Sequence, residues 1–163
     1  MYSGPQRVLT LVFPLIHEEG KILLGMKKRG FGALKFNGFG GKVEDGETVD
    51  QAAARELEEE CCITATSLKK VGLIHFSQVH RPEQTSEVHV YLCSSWSGEP
   101  VESEEMAPQW FDTGSIPFDS MWPDDRYWMP LFLAGKQFVG SFVFDQENTN
   151  IESHTLSETS SLS

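Results

Sequence analysis

Apolar and polar positions fall into blocks along this chain, and the blocks predict a mixed fold. Val8 to Ile16 (VLTLVFPLI) is a near-continuous apolar run, the pattern of a strand buried on both faces. Pro14 is expected to end its regular pairing. His17 to Gly20 reads as a turn, and Lys21 to Met26 (KILLGM) as a returning strand. After Thr48 the character becomes helical. Thr48 is a good N-cap, Gln51 stands where a capping box needs its return donor, and Ala52, Ala53, Ala54 and Leu57 favour helix. Thr64 to Leu68 reads as a connector. Val71 to Val79 reads as a strand with Ile74 and Phe76 on one face and His75 on the other. His80 to Ser86 reads as a polar loop.

Val88 to Cys93 alternates as a strand, with His89 opposite Val88 and Val90. His75 and His89 have no partner motif and are expected to be structural. Trp96 to Pro100 reads as a turn, Glu102, Glu104 and Glu105 as an acidic loop, and Pro108 to Phe111 as a short strand. Pro123, Asp124 and Asp125 start a second helix, which Pro130 should kink or shorten. Lys136 to Phe144 is the last clear strand. The expected organisation is one domain over residues 1–150, then a polar tail, 151–163, partly disordered. The fold class is α/β in the broad sense: α+β, or a layered α/β/α arrangement.

Composition narrows the partners. The 163 residues are 39% hydrophobic with a net charge of −11, and the pI is about 4.8. Such a surface repels nucleic acid polymers and anionic membranes. A small phosphate substrate remains compatible, because a bound cation inverts the local field. No apolar run approaches a membrane span, and MYSGPQR resembles neither a signal nor a transit peptide. Of the three cysteines, Cys61 and Cys62 are adjacent, so reduced thiols inside a cell are expected. The expected compartment is the cytoplasm, with nucleus and mitochondria as further candidates.

The chemistry gathers around one stretch. A glycine-rich run, Asn37 to Gly41 (NGFGG), leads into the helix, on which Glu56, Glu59 and Glu60 share one face by their i, i+3, i+4 spacing. Like charges so placed cost roughly 0.2–0.5 kcal/mol each, and they lie toward the end of the helix where the macrodipole disfavours them. A solvated acidic helix is the plainer reading. A hard divalent cation would offset the repulsion, and Mg²⁺ is bound by a few carboxylates together with substrate phosphates. The basic cluster Lys27, Lys28, Arg29 lies beside the glycine run, either as a solvated face or as a phosphate contact.

The wider pattern favours the metal. Gly41, Glu47, Arg55, Glu56, Leu57, Glu59, Glu60 and Ile63 match the signature of the Nudix hydrolases, and so many fixed positions make a specific signal. NGFGGKVEDGET, PVESEEM and MWPDDRYW extend the resemblance to the branch acting on oxidised purine nucleoside triphosphates. It covers Val8 to Phe144. The family fold is an α/β/α sandwich with a mixed sheet and a catalytic loop-helix-loop. The resemblance implies Mg²⁺-dependent hydrolysis, with Mn²⁺ as a substitute, of 8-oxo-dGTP and 2-oxo-dATP to monophosphate and pyrophosphate by a monomer. Metal ligands would be Glu56, Glu59, Glu60, Glu105 and the Gly40 carbonyl, with Arg55 and Glu47 orienting the glutamates. Glu56 or Glu105 would serve as base. Asn37, Asp124 and Asp125 would read the base, Phe31, Phe76, Met106 and Trp122 would line its pocket, Thr10 and Gly41 would lie close by, and Lys27 would contact the nucleotide.

Several positions depart from the family pattern. Cys62 replaces a glycine after the helix, where a left-handed residue is often required. Gln78 stands in place of an aromatic and Phe36 in place of a tryptophan. The polar stretch at His80 to Ser86 is longer by about one residue and lacks the family's pocket methionine. A more polar pocket is expected. Other readings are a Nudix hydrolase of another diphosphate, or a non-catalytic nucleotide-binding module. Asp124 and Asp125 are open to a helix-capping role or to sharing one proton between them.

Overall fold

The computed structural model describes residues 7–162; the start of the chain, where no leader was expected, lies outside them. The described residues form β1 (Arg7–Ile16), β2 (Lys21–Lys27), β3 (Phe36–Asn37), α1 (Val49–Cys61), β4 (Thr64–Gln78), β5 (Arg81–Ser97), β6 (Met106–Asp112), α2 (Asp125–Leu133), β7 (Phe138–Phe144) and β8 (Ile151–Glu158). The strands make one mixed sheet in the order β3-β2-β1-β5-β4-β7-β8, with β6 also on β2. β1 runs parallel to β5, and β4 parallel to β7.

The apolar run of β1 explains the layers. Val12 and Phe13 point to opposite faces, and both are fully buried. Val12 joins a cluster with Leu57 and Cys61 of α1. Phe13 joins another with Trp128 and Phe132 of α2. The sheet is therefore covered by a helix on each face, as expected of an α/β/α sandwich. Pro14 is the last residue paired with β5, opposite Cys93; Leu15 and Ile16 then pair with β2. The strand changes partner there and does not stop.

Four segments differ from expectation. The connector Thr64 to Leu68, the loop His80 to Ser86 and part of the turn at Trp96 all belong to the long β4–β5 hairpin. Their polar residues lie beyond the core, so side chains give little strand signal although the backbone pairs across the hairpin. Register shifts between Ala65 and Ser67 and between Phe76 and Gln78 further break the alternation. The fourth segment is the tail. Ile151–Glu158 forms an edge strand along β7, held by Leu156 and Ile151 at the core margin and by His154 stacked on Phe142 with centroids 5.5 Å apart. Among the described residues, no helix is long and apolar enough to cross a membrane. Pro130 does not stop α2, which continues to Leu133.

α1 begins as its sequence requires. Thr48 accepts from the Gln51 N–H at 3.1 Å, and Gln51 accepts from the Thr48 N–H at 2.8 Å. It ends at Cys62, left-handed at φ 66°, with an exposed side chain. A β-carbon is strained in that conformation, and glycine is not. Cys62→Gly is expected to raise stability by about 1 kcal/mol or less, since the unfolded chain gains freedom in partial offset. An upward shift of the urea midpoint at constant m checks this; a fall of the midpoint would show that the thiol packs usefully.

Candidate active site

The site begins with a close approach of backbone. Residues 39–43 lie along β1: Val12 N–H donates to the Phe39 carbonyl at 2.6 Å, Thr10 N–H to Gly41 at 2.9 Å and Val43 N–H to Val8 at 3.0 Å. At Gly40 a β-carbon would sit 1.7 Å from the Thr10 carbonyl oxygen, and at Gly41 2.6 Å from the Glu56 carboxyl group. A side chain at Gly40 would force the loop off β1, and one at Gly41 would displace the Glu56 carboxyl group. The docked loop lets the Gly40 N–H donate to Glu60 Oε1 at 2.7 Å.

Arg55 organises the acidic face of α1. Its guanidinium reaches Glu47 at 2.7 and 3.0 Å, Glu56 at 3.0 Å, Glu59 at 3.2 Å and the Lys42 carbonyl at 3.0 Å. The Glu47 carboxyl is held down at about 2, mainly by that hydrogen bond and further by the Glu44 backbone N–H. The other two glutamates on this side move the opposite way. Burial pushes Glu56 up against the pull of Arg55. Burial pushes Glu60 to about 7, opposed by the Gly40 N–H. A buried carboxylate so destabilised in its charged form fits a cation.

The expected ligands do not converge into a ready cage. Among the described residues, no group of three or more His, Cys, Asp or Glu side chains has that arrangement. The reason is local pairing: Arg55 draws Glu56 and Glu59 together, and Glu60 turns to Gly40. Arg29 holds Glu105 at 2.7 Å and lowers its carboxyl below the usual range. Glu56, Glu59, Glu60 and the Gly40 carbonyl still supply the hard oxygen donors that Mg²⁺ takes. Glu105 stays within electrostatic reach of Glu60.

Beside this face opens a cavity of about 760 Å³. All the residues expected to touch substrate, from Thr10 on β1 to Asp125 on α2, line it together with Glu60. Phe31 and Trp122 stack with centroids 5.1 Å apart, and the Lys35 ammonium lies 5.2 Å from the Trp122 ring centre. Asp124 and Asp125 are only 4% and 2% exposed. Asp124 accepts from Trp128 Nε1 at 2.9 Å and makes no side-chain cap bond to α2. Asp125 Oδ2 is buried without a partner. Burial raises both carboxyls, Asp124 to about 6, and the neighbouring Asp124 charge raises Asp125 further. Capping therefore does not explain this pair.

Phe36 faces the core instead, edge-on to Phe111 at 4.9 Å, and does not line the cavity. Phe144, Lys35 and Asn148 do line it and were not anticipated. Phe144 lies opposite Gln78 in the parallel β4–β7 register, so the strand period from Phe142 carries a signal for it. Asn148 sits in the turn between β7 and β8, a stretch for which no element was expected.

The NUDIX domain family model matches residues 5–132. The chain is 50% identical over 156 residues to the oxidized purine nucleoside triphosphate hydrolase of Danio rerio, covering 96% of this chain and 97% of that one. It is 50% identical over 155 residues to the mouse (Mus musculus) protein of the same description, covering 95% and 97%. A MutT protein from Bacillus halodurans superposes with a TM-score of 0.81 at 20% identity, over 92% of this chain and 97% of that one, a likeness of fold. With the acidic helix face, the docked glycine loop and these matches together, the chain belongs to the Nudix hydrolase family.

Proposed function

We propose that this protein hydrolyses oxidised purine nucleoside triphosphates, such as 8-oxo-dGTP and 2-oxo-dATP, to the monophosphate and pyrophosphate, and so clears damaged nucleotides from the free pool. The observation that carries this reading is that one cavity joins the buried Asp124–Asp125 pair to Gly40, Gly41 and Glu60. A base-reading group and a hydrolytic face thus address the same ligand. Relatives at 50% identity are described as acting on this substrate class. The same reading takes the protein as a monomer acting on free nucleotides in the cytoplasm, its net charge of −11 disfavouring polymers and anionic membranes.

Glu56, Glu59, Glu60 and the Gly40 carbonyl would hold Mg²⁺, with Mn²⁺ as a substitute and Glu105 joining by release from Arg29. The cation supplies charge neutralisation on the phosphates and activation of water. Arg55 and Glu47 hold the glutamates in place. Glu56 Oε1 is engaged by Arg55, so Oε2 is the oxygen that would meet the cation or, as base, the attacking water. Its raised carboxyl suits it better to that task than Glu105, whose carboxyl Arg29 lowers. Lys27 lines the cavity next to Glu60 and is placed for the phosphate chain. Asp124, Asp125 and Asn37 provide polar contacts to the base between the Phe31–Trp122 stack and Phe76.

Glu56→Gln is expected to lower turnover by about 10²–10⁴, the contribution of a positioned base, while the metal-free protein melts within a few degrees of wild type. Pyrophosphate release with Mg²⁺ and a thermal melt measure the two. Near-normal turnover would remove the acidic face from the mechanism. Pyrophosphate release from 8-oxo-dGTP set against sugar nucleotides and dinucleoside polyphosphates tests the substrate class, and preference for the undamaged diphosphates would overturn it.

The pH dependence of metal-free stability follows from Glu60. Its carboxyl rises from 4.5 to about 7 on folding. The stabilising contribution is therefore full below 4.5 and lost as pH rises through 7. The shift corresponds at most to roughly 3 kcal/mol. Metal-free protein should melt higher at pH 6 than at pH 8, Glu60→Gln should flatten part of that slope, and Mg²⁺ should restore stability at pH 8. Identical slopes in the two proteins would contradict it.

Two buried carboxylates side by side resist joint ionisation, so one proton is shared between them. An ionised aspartate only accepts hydrogen bonds, and a protonated one also donates. Relocating that proton lets one pocket meet both an oxidised guanine and an oxidised adenine edge. Asp124→Asn and Asp125→Asn should then shift the ratio of kcat/KM for 8-oxo-dGTP and 2-oxo-dATP unequally across pH. Mutants that both keep the wild-type ratio at every pH would end the shared-proton account.

A further inference from the structure

The cavity is also lined by a pair of side-chain amides. Gln78 ends β4 opposite Phe144, and its Nε2 donates to Asn148 Oδ1 at 2.5 Å. Both residues line the cavity. Asn148 is held in place by its turn. It is left-handed at φ 61°, and its N–H donates to the Asp145 carbonyl at 3.1 Å. Asp145 also accepts from the Thr149 N–H at 2.9 Å and from Asn150 Nδ2 at 3.1 Å. The shared bond uses one N–H of Gln78 and the carbonyl of Asn148. Gln78 Oε1 remains as an acceptor and Asn148 Nδ2 as a donor, neither used by the bond between them.

We propose that the Gln78–Asn148 amide pair reads the oxidised imidazole edge of the purine and so discriminates damaged from undamaged guanine. The proposal rests on the functional reading above and deepens it. A purine carries hydrogen-bonding groups on two edges. With Asp124 and Asp125 on the pyrimidine edge, the imidazole edge is left for other polar side chains of the lining, of which Gln78 and Asn148 are a hydrogen-bonded pair. Oxidation at C8 gives that edge an N7–H donor beside an O8 acceptor. Gln78 Oε1 matches the first and Asn148 Nδ2 the second. Undamaged guanine presents a bare N7 acceptor and an apolar C8–H. It meets an acceptor facing an acceptor, and reversing both amides satisfies N7 alone. A site built to hydrogen-bond a group disfavours the analogue lacking it, because its own polar atoms are left unpaired. Discrimination here needs no titrating group, unlike the carboxylate pair.

The test is the ratio of kcat/KM for 8-oxo-dGTP over dGTP, with Mg²⁺, in wild type, Gln78→Met, Asn148→Gly and the double variant. Methionine keeps the length of the side chain, and glycine suits the left-handed backbone. Each single variant is expected to lower the ratio about tenfold, mainly through KM for the oxidised substrate, with kcat nearly unchanged. The double variant should be no worse than either single one, since the amides act as a unit. A ratio within twofold of wild type in both single variants would overturn the proposal and leave the functional reading intact. Wild-type protein that releases pyrophosphate from neither nucleotide would overturn both.

Discussion

The approach of the Gly40 backbone to Thr10 is the constraint on which the site depends. A peptide carbonyl fills the space where any β-carbon at Gly40 would lie, and this contact seats the glycine loop on β1. The seated loop presents an N–H to Glu60 and room for the Glu56 carboxyl group over Gly41. It also sets the start of α1, and so the direction in which the acidic face looks. β1 carries Thr10 and the loop carries Gly40 and Gly41, so the same contact brings together three residues that line the cavity. The acidic helix face and the cavity are thus registered to each other mainly by one run of backbone hydrogen bonds.

Arg55 answers a different problem. Carboxylates gathered on one helix face repel, and the metal-free molecule relieves this by turning them toward the guanidinium and toward Gly40. Positive charge there is shared among Glu47, Glu56 and Glu59. Glu60 lies outside that sharing and carries the largest burden of burial. Among these glutamates it is the one whose charge state folding shifts furthest upward.

Much of this was legible in the chain. The Thr48–Gln51 box, the shared face of the glutamates and the left-handed exit at Cys62 are local matters, decided within a few residues by hydrogen bonding and backbone sterics. The resemblance placed Asp124 and Asp125 in the pocket, but only burial separated them from a capping role. Strand pairing was the less legible part. Thr64 to Leu68, Arg81 to Ser86 and the strand from Ile151 are polar or irregular in pattern, and what makes them strands is backbone pairing with a neighbouring strand rather than their own side chains. Asn148 became part of the cavity through the β7–β8 turn, which no short window of residues reveals.

The cavity wall draws on both ends of the described chain. Arg7 and Thr10 stand near its beginning, and Phe144 and Asn148 follow more than a hundred residues later. The acidic helix face, in contrast, is complete by Cys61. During synthesis from the N-terminus, the acidic helix leaves the ribosome long before the residues that close the cavity wall are made. β1 has by then no β5 to pair with, so the glycine loop and the cavity wall acquire their seat together, after the helix that faces them has already emerged.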